Sequence, residues 1–369
     1  MFITNTNTSK QRIIPKSIAV FVKNLTSGGA EKQAVLLSKV LSTDYDVHFV
    51  VFNAAKTHQK YLDMIYEAPK VHLALLNGGH LSRFRQLLSY IKENNIELIF
   101  SYLTAANLYA CLAGSITGAK VITGLRNAEL PTRKLIVDRF LTNHMSAITI
   151  ANCFSGKRYF VSHGFKEKKI RVIPNCFDNI SPFSLKNEKD TTCIITVGRF
   201  VEQKDYMTAI KTVSLVYRTH KDIRFIIIGF GKLEQEIRRW VKEEGIVDIT
   251  NIIINPDNIS NYLSNADIYL STSLFEGTSN SIMEGMNADL PIIATNVGDN
   301  AYLVEEGKNG HLTERKDVDA LAKAICNLVS DKVKRQQYGR YSKCLLIEKY
   351  STGTFRDRYL QIIKEINLL

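Results

Sequence analysis

Two series of short, almost unbroken apolar runs, separated by segments of helical period, limit this chain to few architectures. In the first half the runs fall at 18–23, 47–52, 71–76, 98–102, 121–124 and 148–151. In the second they fall at 193–197, 224–229, 251–254, 267–271 and 292–295. A run such as Ile226-Ile227-Ile228 shows no polar alternation, the pattern of a strand buried on both faces, and strands that alternate with helices pair in parallel. Helical periodicity lies between the runs, notably at 31–41 and 84–93. At 369 residues the chain is long for one core and suits two. The pattern predicts an α/β protein of two doubly wound, Rossmann-like domains facing across a cleft. Open sheets of this kind bind ligands beyond the carboxyl ends of their strands. The segment 179–190, rich in Ser, Asn and charge, reads as the linker.

Composition narrows the class. With 45% hydrophobic and 23% charged residues the chain has the balance of a soluble globular protein. No apolar run reaches the roughly 18–20 residues of a membrane span. The opening MFITNTNTSKQR has no apolar signal-peptide core, so a cytoplasmic location is expected. Cys111, Cys153, Cys176, Cys193, Cys326 and Cys344 form no Cys-x-x-Cys pair and read as reduced, buried thiols. The net charge of +12 is unevenly placed: residues 1–180 hold 23 Lys+Arg against 11 Asp+Glu, and residues 181–369 hold 25 of each. Such asymmetry points to an anionic partner for the first half: a membrane surface, a pyrophosphate-bearing lipid or nucleic acid. Lys56, Lys60, Lys70, Arg83, Arg85 and Lys92 are its candidate contacts.

The stretch from Ser273 to Glu284, SLFEGTSNSIME, carries the most chemistry. A strand-like run precedes it and a helical pattern at 282–288 follows, so Glu276 is expected in a strand-end loop and Glu284 about two turns into the helix. Small residues between them leave backbone N–H groups open at a helix start, an anion site with a carboxylate on either side. That outlines a nucleotide-sugar site, and it equally outlines an ordinary strand–loop–helix with two solvated glutamates. Arg199 and Lys204 leave one strand-end loop and together suit a diphosphate, although alone they also fit two exposed basic residues. Gly28 and Gly29 open the first helix after the first strand, either as a phosphate cradle or as a plain tight turn. No metal site is expected: the histidines form no ligand pattern, and Asp44 and Asp46 lie at a strand's amino end, in a solvated turn.

Taken in order, SGGAE at 27–31, VIPNCFD at 172–178, VGRFVEQKD at 197–205, IIIGFGKLEQEI at 226–237 and SLFEGTSNSIMEGM at 273–286 resemble glycosyltransferase family 4. These are retaining nucleotide-sugar transferases of the GT-B fold, and the likeness is greatest to bacterial enzymes that extend glycans on undecaprenyl pyrophosphate. The resemblance implies an acceptor-binding domain at 1–178, a nucleotide-sugar domain at 179–349, and a C-terminal helix at 350–369 that crosses back to the first domain. It implies that Arg199 and Lys204 bind the donor diphosphate, that Glu284 accepts from the ribose, and that Glu276 holds the donor sugar. Backbone groups at Thr278, Ser279 and Asn280 would cradle the distal phosphate, helped by Gly28 and Gly29, with Gly198 and Asn255 also on the nucleotide. Three positions depart from the family pattern: Arg126 stands for an active-site histidine, Phe230 for an acidic residue, and Asn255 for a glycine.

The expectation is therefore a cytoplasmic, membrane-surface enzyme without cofactor or metal. It moves a hexose or N-acetylhexosamine from a nucleoside-diphosphate sugar, UDP by the branch resemblance, to a lipid-pyrophosphate-linked glycan with retention of configuration. The rivals are a GT-B-fold epimerase or phosphorylase and a basic nucleic-acid-binding protein. The chain shows no cofactor-lysine context for a phosphorylase and no aromatic-interleaved basic segments for nucleic acid, which is not an expected partner.

Overall fold

Buried apolar runs have no way to satisfy their backbone except by pairing with one another, and in this chain all of them pair in parallel. The structure, a computed structural model, describes residues 16–26, 28–68, 70–183 and 190–367. Ser27, the opening dodecapeptide and residues 184–189 of the expected linker lie outside them.

Seven strands form the first sheet: β1 Ser17–Val22, β2 Asp46–Val51, β3 Val71–Leu75, β4 Leu98–Tyr102, β5 Lys120–Leu125, β6 Ile148–Ala151 and β7 Ile170–Val172, in the order β3-β2-β1-β4-β5-β6-β7. Six form the second: β8 Thr192–Val197, β9 Ile223–Gly229, β10 Thr250–Ile254, β11 Ile268–Ser271, β12 Ile292–Thr295 and β13 Gly310–Thr313, in the order β10-β9-β8-β11-β12-β13. In each sheet the chain works outward from its first strand and then returns to pair on that strand's other side. The reversal lies between β1 and β4 and between β8 and β11, where the diverging loops open a crevice.

Two compact units result. The first takes the described residues up to Ala151, then Lys157–Ile173 and the chain from Phe355 onward; the second takes Asn152–Gly156 and Pro174–Thr354. In the first, Phe21, Phe52 and Ile99 pack against Leu87 and Ile91 of the helix His80–Glu93 and Ala106 and Ala110 of the helix Thr104–Thr117. The C-terminal helix Thr352–Asn367 is fastened to this unit. Its Arg356 forks onto both carboxylate oxygens of Asp44 at 2.7 Å, and Tyr359 lies fully buried. Asp44 lies in an exposed turn, as expected, and there hydrogen bonds from Thr43 and Arg356 hold its carboxyl below the ordinary range. Asp46 Oδ1 lies 2.8 Å from His72 Nε2.

In the second unit, Ile195, Ile228 and Ile292 of the sheet pack on Ile282, Met283 and Met286 of the helix Asn280–Asn287 and on Leu345 and Leu346 of the helix Lys332–Tyr350. All six cysteines are free; four are buried, while Cys326 is half-buried and Cys344 exposed because both lie on outward faces of helices. Two strands escape the periodic pattern. β7 has only three residues, and β13, Gly-His-Leu-Thr, has one strongly apolar side chain; pairing with β6 and β12 makes them strands.

One glycine tests the packing behind the second crevice. A Cβ at Gly285 would stand 2.7 and 2.8 Å from ring carbons of the buried Tyr269. Helix propensity favours Ala over Gly by about 1 kcal/mol, and overpacking a core costs about 1–3 kcal/mol. Gly285→Ala should therefore lower the urea midpoint of unfolding despite its better propensity; a raised midpoint would mean that the ring yields freely.

Candidate active site

The loops at the carboxyl ends of β8, β9, β10 and β11 enclose a pocket of about 370 Å³. Gly198, Arg199 and Lys204 enter it from the first loop, Phe230 from the second and Asn255 from the third. Glu276, Thr278, Ser279, Asn280 and Glu284 enter from the fourth. One cavity thus gathers every candidate residue of the second half. Gly28, Gly29 and Arg126 belong to the first unit.

Sequence dictates how the first loop is held. Two buried tyrosines donate to its start, Tyr206 to the Gly198 carbonyl at 2.8 Å and Tyr269 to the Val197 carbonyl at 3.2 Å. Burial pushes both phenols above their ordinary range, so both remain protonated donors. At the loop's end Asp205 takes the left-handed conformation, with φ of 47°, and caps the helix Tyr206–Thr219 through Thr208. The loop is then laced to the one after β11. Thr272 donates to the Lys204 and Asp205 carbonyls at 2.9 and 3.0 Å. Gln203 accepts from the Leu274 amide and donates to the Phe275 carbonyl, both at 2.8 Å.

The side chains complete the link. Lys204 Nζ lies 2.5 Å from Glu276 Oε1, which also accepts from Ser273 Oγ at 2.8 Å. Both ionic side chains are largely withdrawn from solvent, at 15% and 9% exposure, and removing either partner would strand the other's charge. The backbone of Glu276 is crossed from behind by Gly298, whose φ of +58° and the 2.0 Å that a Cβ would leave to the Glu276 carbonyl both require glycine. Arg199 is exposed at the pocket rim, and its side chain makes no hydrogen bond among the described residues.

The helix Asn280–Asn287 begins inside the pocket. Its first intrahelical bond runs from the Met283 amide to the Ser279 carbonyl, and Ser279 supplies no side-chain cap, so the amides of Asn280 to Ile282 point out of the helix start as an anion site. Because the helix starts at Asn280, Glu284 stands just past one turn, not two. Asn255 stands where a glycine is common, and its φ of 41° explains both choices, since asparagine tolerates the left-handed region.

The first-unit candidates look different. Gly28 precedes the helix Gly29–Leu41, and the Glu31 carboxylate folds back over it, so close that a Cβ at Gly28 would clash at 2.3 Å. Buried Arg126, just after β5, donates to the Tyr359 hydroxyl at 2.8 Å and stacks its guanidinium 4.1 Å from the Tyr102 ring centre. Gln203, Ser273, Pro256, Ile259 and Ser281 were not singled out from the sequence. Gln203 and Ser273 flank recognised motif residues, but Pro256 and Ile259 carry no local signal and reach the pocket only because β10 ends there. Among the described residues, no group of three or more His, Cys, Asp or Glu is placed to hold a metal ion.

Comparison with known proteins identifies the family. Residues 27–179 match the family described as Glycosyltransferase Family 4, and residues 177–344 match Glycosyl transferases group 1. Among relatives, an undecaprenol-diphosphate-linked glycan α-1,4-N-acetyl-D-galactosaminyltransferase of Campylobacter jejuni is 22% identical over 359 residues, covering 95% of this chain and 98% of the relative. A second C. jejuni enzyme, a diphospho-undecaprenol 4-α-N-acetylgalactosaminyltransferase, is 23% identical over 357 residues, covering 89% and 94%. The crystal structure of Anabaena HepE in complex with UDP superposes with a TM-score of 0.79 at 18% identity, covering 95% of this chain and all of that one. The two family matches together run from residue 27 to residue 344, across most of both parallel-sheet units, and the chain belongs to glycosyltransferase family 4, with the GT-B fold.

Proposed function

We propose that this chain transfers a hexose or N-acetylhexosamine from a UDP-sugar to a growing glycan on an undecaprenyl-diphosphate carrier. Configuration is retained, no metal takes part, and the enzyme works at the inner face of the plasma membrane. The observation that carries the reading is the convergence of Arg199, Lys204, Glu276, Glu284 and an uncapped helix start in one pocket. The Campylobacter relatives are named for undecaprenol-diphosphate acceptors and α-linkages, and HepE was solved with UDP.

The chemistry follows from charge. As the sugar–phosphate bond breaks, negative charge builds on the departing diphosphate, and fixed donors aimed at it lower the barrier. An ammonium has three donors; Lys204 gives one to Glu276 and has two for phosphate. Arg199 closes the diphosphate from the rim, and the amides at the start of the helix Asn280–Asn287 take the distal phosphate. Both bonds to Glu276 fall on Oε1, so Oε2 can accept from a sugar hydroxyl. Glu284, one turn further in, accepts from the ribose. Phe230, Pro256 and Ile259 give the base an apolar slot beside Asn255. Arg126 is assigned to holding the C-terminal helix through the Tyr359 hydroxyl.

Two predictions follow from this assignment. A charge-assisted contact is worth about 1.5–3 kcal/mol, so Arg199→Ala should cut kcat/KM at least about tenfold. Lys204→Ala should lose more, because it also leaves the Glu276 carboxylate unpaired and facing the diphosphate. Steady-state kinetics with a UDP-sugar checks the order; near wild-type turnover in both variants, with the fold intact, would remove the clamp.

The second separates the glutamates. Ribose contacts are equal in the ground and transition states, so Glu284→Ala should weaken UDP binding in calorimetry with a smaller effect on kcat. Glu276→Gln should depress kcat while UDP affinity changes little. An equal loss of UDP affinity in both would contradict the division of roles.

A further inference from the structure

A surface helix normally turns polar side chains outward. The helix Thr104–Thr117 of the first unit, TAANLYACLAGSIT, has no charged residue in its length, yet one face is open to solvent. That face carries Leu108, Leu112 and Ile116, one turn apart, the last 56% exposed. The adjoining helix Thr132–Phe140 continues it with Ile136 and Phe140, at 53% and 57%. The charges around this strip are nearly all of one sign. Arg85 and Lys92 stand exposed on the helix His80–Glu93 on one side, and Arg133 and Lys134 on Thr132–Phe140 on the other. Against them the three helices expose only Glu93; Asp138 is buried, accepting from Asn107 and Thr104.

Topology makes this one surface. Right-handed crossovers about the order β3-β2-β1-β4-β5 place helices His80–Glu93, Thr104–Thr117 and Thr132–Phe140 on one face of the first sheet. Gly29–Leu41 and Gln59–Tyr66 lie on the other face. The basic residues marked out from the sequence therefore divide. Arg83, Arg85 and Lys92 belong to the apolar face, whereas Lys60 sits on a helix of the opposite face, and Lys56 and Lys70 flank that helix.

We propose that the outer surface of these three helices docks on an anionic lipid bilayer, with the Leu108–Leu112–Ile116 strip in the interface and the flanking lysines and arginines on headgroup phosphates. This deepens the membrane partner of the proposed function and rests on it. An apolar strip bordered by cations is the composition of an interfacial surface. A second copy of the chain would set the same cations against each other, so the charge selects the bilayer. No helix among the described residues is long and apolar enough to cross a membrane, so the contact lies along the surface.

The test uses the full chain sedimented with vesicles of phosphatidylglycerol and phosphatidylcholine, or of phosphatidylcholine alone. Binding should need the anionic lipid. Leu112→Asp with Ile116→Asp, and separately Arg133→Glu with Lys134→Glu, should each reduce it at least about tenfold. Lys56→Glu with Lys60→Glu, on the opposite face, should leave it unchanged. Calorimetry with UDP on each variant shows that the other unit is intact. Wild-type binding in either face variant, an equal loss in the control, or a dimer in solution that the face variants dissolve would overturn the surface. Failure of the wild-type chain to bind UDP would count against the donor reading alone, with the vesicle result still deciding the surface.

Discussion

The contact between Lys204 and Glu276 fixes the geometry on which the rest of the second unit's pocket depends. It joins loops that leave β8 and β11, two strands adjacent in the sheet but far apart in the chain. An ion pair so far withdrawn from water is a poor source of net stability, because desolvating both charges offsets most of their attraction. Its value lies in position. The bonds from Thr272, Gln203 and Ser273 surround it, so ammonium and carboxylate are held before any ligand arrives. Preorganised charge of this kind costs no reorganisation when the leaving group develops its own.

The pocket's location follows from strand order. β8 and β11 are neighbours because the chain builds outward to β10 and then crosses back, and the loops beyond them must diverge. Into that gap the helix Asn280–Asn287 projects its uncapped start, while Gly285 and Tyr269 set its depth. An anion there meets helix amides, one ammonium and one guanidinium. In this account these groups take the place that a divalent cation holds in other nucleotide sites.

Much of this was legible in the sequence, for identifiable reasons. Eleven of the strands announced themselves because buried parallel strands are apolar throughout; β7 and β13 did not, being short and made strands by their neighbours. Arg199, Lys204 and Glu276 were legible because each sits in the loop just beyond such a strand, whereas Pro256 and Ile259, which line the same pocket, were not. Long-range partners were not. Nothing near Asp44 predicts Arg356, and nothing near Arg126 predicts Tyr359, since both arrive on a helix more than two hundred residues later. The depth of Glu284 was misjudged for a smaller reason: where a helix starts depends on its cap, and Ser279 makes no capping bond that would mark the boundary. The apolar strip on Thr104–Thr117 was hidden because a buried helix and an exposed apolar helix have the same composition.

The central claim is that the protein's own cations and helix amides hold the donor diphosphate. Titrating UDP into the purified chain by calorimetry, with and without excess chelator, tests it most directly. The account predicts one site with the same affinity in both conditions. Binding that vanishes on chelation and returns with magnesium or manganese would contradict it, because a metal ion would then be doing what is here assigned to Arg199, Lys204 and the start of the helix Asn280–Asn287.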